Sequence, residues 1–60
     1  MIRVNFLDGS SIEYPTAHTV ELSGDGVSTV LLESRAGAGS VPVAILATRE
    51  ILKLEIDPRD

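Results

Sequence analysis

Cysteine and tryptophan are absent, and tyrosine, phenylalanine, histidine and methionine occur once each in the 60 residues. Without cysteine the chain forms no disulfide and offers no thiolate zinc site. A lone His18 also excludes an all-histidine metal centre. Small folds gain stability from disulfides, metals or partner subunits, so the first two absences leave tight packing or self-association. Positive charge is scarce as well, with five basic residues against nine acidic ones and a net charge of −4. The cations Arg3, Arg35, Arg49, Lys53 and Arg59 are scattered among carboxylates, not gathered into a basic face. Nucleic-acid binders draw most of their affinity from phosphate neutralisation, so this balance argues against that class. Long apolar runs are missing too: the longest, 43–47, is far too short to span a bilayer. The chain opens in an alternating pattern without the basic start and apolar run of a secretory leader, and lack of cysteine fits a reducing compartment. A soluble cytoplasmic protein is expected.

What is present is period-two alternation, the pattern of half-buried strands. Ile2, Val4 and Phe6 share one parity, with Arg3, Asn5 and Leu7 on the other. Asp8-Gly9 predicts a tight hairpin turn, returning through Ile12 and Tyr14 on the core side. Pro15 ends that strand because it cannot donate to a ladder. His18, Val20 and Leu22 alternate next, which predicts an inward or rim position for His18. Ser23-Gly24-Asp25-Gly26 reads as a turn, 27–33 as a β-rich strand, 34–40 as a loop and 41–47 as another strand. Thr48 is placed as a helix N-cap with Glu50 in the first turn, predicting one short helical turn over 48–52. A last strand follows over 53–57.

These elements predict one all-β domain over 1–60, a five- to six-stranded antiparallel barrel or rolled meander with a helical turn before the last strand. From Gly39-Ser40-Val41-Pro42 through Ile56 the order is similar in topology to SH3-like small barrels. The likeness is one of topology. Peptide-binding SH3 domains line a proline groove with aromatic residues, whereas this chain has only Phe6 and Tyr14, so peptide binding is not implied.

Two strands break the one-sided pattern. Val27, Thr29 and Leu31 oppose Val30 and Leu32, and Val41, Val43 and Ile45 oppose Pro42, Ala44 and Leu46. A domain of this size has one interior, so a second apolar face predicts an interaction surface. Val30, Leu32, Ala44 and Leu46 are the candidate interface residues. A second copy of the chain, another protein, or cover by the 48–52 turn or the 34–40 loop would each satisfy that face.

Chemistry-bearing patterns are weak by comparison. Arg35-Ala36-Gly37-Ala38-Gly39-Ser40 lacks the third glycine and following helix of a dinucleotide fingerprint, because position 42 is proline and a strand follows. No G-x-S-x-G elbow activates a serine. Asp8 and Asp25 occupy turns, and Glu13, Glu21, Glu33 and Glu55 fall on outward parities. No catalytic residue, metal ligand or cofactor is expected. The reading is a non-catalytic, self-associating module. The alternative is an Sm-like small barrel, a class that binds RNA as rings.

Overall fold

Alternating polar and apolar residues produce six strands in a computed structural model that describes residues 1–58. They are β1 (Ile2–Phe6), β2 (Ser11–Tyr14), β3 (Thr19–Leu22), β4 (Ser28–Arg35), β5 (Gly39–Ala47) and β6 (Ile51–Ile56). A 3-10 turn, Thr48–Glu50, joins the last two. Arg59 lies outside the described residues.

The strands form two antiparallel sheets in the orders β2-β1-β6 and β3-β4-β5. The expected all-β, six-stranded antiparallel fold is present; of the barrel or rolled meander expected, the strands form two three-stranded sheets and do not close into one barrel. Pro15, which carries no N–H, ends β2 before the chain crosses to β3, and among the described residues no ladder joins the two sheets.

Loop chemistry explains the hairpins, with adjustments to the expected boundaries. Gly9 N–H donates to the Phe6 carbonyl and Gly9 sits at φ 91°. The first hairpin therefore closes through a three-residue loop ending in left-handed glycine, instead of a two-residue turn. The expected 34–40 loop is mostly strand: Arg35 pairs with Gly39, leaving a tight turn in which Ala38 N–H bonds the Arg35 carbonyl. The Thr48 cap is also corrected. Ala47 precedes the 3-10 turn with no side-chain cap, and Thr48 Oγ1 instead meets Thr29 Oγ1 at 2.8 Å.

Each sheet turns one face to the core. Ile2, Val4, Ala17 and Leu31 are fully buried together, with Phe6, Tyr14, Val20, Val43, Ala44, Leu46, Ile51 and Leu54 packed around them. Burying an aliphatic side chain contributes about 1.5–3 kcal/mol, so these few residues carry most of the fold's hydrophobic stabilisation. The core is small because the molecule is flat, 37 × 33 × 12 Å across its principal axes. That thickness is little more than one sheet-to-sheet spacing of about 10 Å. Its 11.6 Å radius of gyration exceeds the roughly 10.4 Å of an average folded domain this long.

Candidate association surface

Register decides which side chains share a face, because directly paired residues in an antiparallel sheet project the same way. Val30 pairs with Ile45 and Glu21, whereas Leu31 pairs with Ala44 and Val20, and Thr29 with Leu46 and Leu22. Between Leu31 and Leu32 the ladder slips. Leu31 opposes Ala44 but Leu32 opposes Pro42, leaving Val43 as the extra residue of a β-bulge.

The bulge splits the expected interface set across both faces of the sheet. Val30 and Leu32 lie on the face away from Leu31, but Ala44 and Leu46 lie on the Leu31 face and pack against the core. Leu32 is itself buried, at 7% exposure, and Val30 is half-buried. The outer face of β5 is instead formed by Pro42, Ile45 and Ala47. Ile45 is 69% exposed, the highest value among the large hydrophobic residues, so neither the 3-10 turn nor the 36–38 turn covers it. Simple alternation assigned Ile45 inward, and a bulge leaves no periodic signal in the residues that make it. A proline within an uncharged strand was the one hint, since such prolines collect at edges and bulges.

The other sheet carries an ion cluster on its outer face, although Leu52 in β6 is 68% exposed. Arg3 Nε and Nη2 reach Glu13 Oε2 at 3.1 and 3.0 Å, and Arg3 Nη1 reaches Glu55 Oε2 at 3.1 Å. Lys53 Nζ stands 3.1 Å from Glu55 Oε1. The Lys53 ammonium, followed by Arg3, holds the Glu55 carboxyl below the usual carboxylate range despite some opposing desolvation. Asn5 adds its amide beside Glu55, although its buried Nδ2 has no partner at hydrogen-bond geometry.

Two shallow clefts among the described residues are candidates for chemistry. A shallow cleft beside the first hairpin is lined by Phe6, Leu7, Asp8, Ser10 and Glu50. Its Asp8 carboxylate is already committed to Ser10 Oγ at 2.6 Å and Ser10 N–H at 2.8 Å, bonds that hold its pKa down. A second lies beside Asp25, Val27 and Arg49; there Asp25 is likewise held ionised by the Ser23 hydroxyl and Val27 N–H. His18 lines neither cleft and is exposed at the rim, its backbone N–H donating to the Leu32 carbonyl. Among the described residues no three His, Cys, Asp or Glu side chains gather in a way that could hold a metal ion. No helix among them is long and apolar enough to cross a membrane. No protein-family model, curated protein or solved structure matches the chain.

Proposed function

We propose that this domain is a non-catalytic assembly module that associates with itself through the outer side of β4 and β5. The carrying observation is the exposed, uncharged Ile45 beside half-buried Val30, with Pro42 and Ala47 exposed on the same face. Apolar patches of this kind mark interaction sites, and a flat molecule with few buried residues gains stability when such a patch is covered. The strand path supports an open relative of the SH3-like small barrel. β6-β1-β2 and β3-β4-β5 follow one another with the 3-10 turn before the last strand. Phe6 and Tyr14 pack on the core, so that path brings no aromatic groove. A cytosolic setting suits the cysteine-free sequence. The Sm-like, RNA-binding alternative has weaker support. Arg3, Arg35 and Lys53 are all held by carboxylates, which leaves little positive charge for phosphate.

The test is solution mass by light scattering over a dilution series, repeated with Ile45→Glu. Assembly predicts a multiple of the 6.4 kDa chain mass that Ile45→Glu reduces to one chain without loss of fold. A wild-type protein that stays monomeric at every concentration overturns the reading.

A further inference from the structure

Four strand edges are free of described partners: those of β2, β6, β3 and β5. Three carry charge within the strand, Glu13 in β2, Glu21 in β3, and Lys53 and Glu55 in β6. β5 is the longest of the four and has none: Gly-Ser-Val-Pro-Val-Ala-Ile-Leu-Ala. On a chain of net charge −4, copies repel, and an uncharged edge is where like can meet like without opposing carboxylates. Exposed, uncharged, β-prone edges are templates for a further strand.

The backbone narrows the contact further. Thr48 N–H donates to the Val27 carbonyl at 3.0 Å, so residue 48 faces β4. Backbone polar groups alternate in direction along an antiparallel strand. Counting back, Leu46 and Ala44 also face β4, while Ile45 and Ala47 turn their N–H and C=O outward. Ala47 is extended, at φ −72° and ψ 115°. Pro42 and the Val43 bulge limit how far this outward ladder extends toward the start of β5.

We propose that two copies pair antiparallel along β5, with Leu46 on the two-fold axis and Ile45 of each copy exchanging backbone hydrogen bonds with Ala47 of the other. This rests on the self-association reading and names its contact. The two-fold operation makes the pairing self-complementary and removes the same edge from both copies. It joins two three-stranded sheets into one continuous sheet and runs the Val30–Ile45 faces of both copies together. Pro42 lies outside this register, so its missing donor costs the seam nothing.

Ala47→Pro tests the seam directly. Proline prefers φ near −65°, which Ala47 already adopts, and the substitution removes an outward donor that β4 does not use. The expected result is a folded Ala47→Pro monomer, by light scattering and circular dichroism, at concentrations where the wild-type protein is dimeric. Amide exchange on the wild-type dimer supplies a readout that needs no variant. The Ile45 and Ala47 amides should be protected in the dimer and lose that protection on dilution. A wild-type dimer whose Ile45 and Ala47 amides exchange freely, or an Ala47→Pro protein that remains dimeric, overturns the edge pairing and leaves the self-association reading standing. A monomeric wild-type protein overturns both.

Discussion

The two sheets share one core yet differ on their outer faces. Outside β2-β1-β6, Arg3, Glu13, Lys53 and Glu55 form an ion network that water can solvate. Outside β3-β4-β5, half-buried Val30 and exposed Pro42, Ile45 and Ala47 interrupt the polar positions. The first outer face centres on charged groups, and the second on the exposed, uncharged Ile45. Each sheet sends fully buried side chains inward, Ile2 and Val4 from one and Leu31 from the other.

Truncating a fully buried side chain in either sheet should be severe. Leu31→Ala in β4 is expected to cost about 2–5 kcal/mol, the range for deleting a buried leucine. In a domain this small that is enough to unfold a large fraction of molecules. Val4→Ala in β1 should also be strongly destabilising in urea melts. A mild effect at either position would mean that its sheet contributes less to the core than its burial implies.

A smaller effect is expected at the polar contact between β4 and the 3-10 turn. Thr29 is 1% exposed and its hydroxyl is shared with Thr48 at 2.8 Å. Thr29→Val should cost roughly 1–2 kcal/mol by leaving the Thr48 hydroxyl without its partner. Adding Thr48→Val should cost less than the sum of the single changes, a non-additivity that a double-mutant cycle measures.

The outer faces separate further by charge substitution. Arg3→Met removes contacts to Glu13 and Glu55 at a partly exposed site and should cost less than about 1 kcal/mol with solution mass unchanged. Its effect should shrink in high salt. A change in mass with Arg3→Met would erase the distinction between the two faces.

Acid should have the gentlest effect, mostly on the β2-β1-β6 side, where three of the four carboxylates concerned lie. Asp8 and Asp25 are held ionised by their turn serines, Glu55 by Lys53, and Asp57 by the Met1 ammonium at 2.8 Å. Their folded pKa values lie below the unfolded ones, so their stabilisation is complete above the ordinary carboxylate range. It is lost as pH falls through the folded values. The melting temperature should be flat near neutrality and fall below about pH 4. A melting temperature that rises in acid would show that repulsion among carboxylates outweighs these bonds.

Legibility followed regularity. Ile2, Val4 and Phe6 alternate against Arg3 and Asn5 without interruption, and the ladder of β1 with β2 keeps that parity from Ile2 to Asn5. The 3-10 turn falls within the expected 48–52 segment, whereas alternation alone left open which face of 27–33 is buried: Thr29, Leu31 and also Leu32 are buried, and Val27 is exposed. Ala17 is a core residue with no sequence signal, because a small side chain in an irregular connection follows no period. His18, although in phase with Val20, stands exposed where β3 begins.

The sequence by itself determined an all-β chain, most strand positions, its glycine turns and an excess of apolar side chains over what one small interior can bury. These follow from local chemistry: side-chain alternation, proline's missing donor and glycine's access to positive φ. Only the tertiary structure decided which residues make the surplus face. One extra residue at Val43 reversed the parity that simple alternation gave to β5, sending Leu46 to the core and Ile45 to the surface. A strand repeats every two residues, so a single insertion exchanges its faces, and whether it occurs is settled by the partner strand.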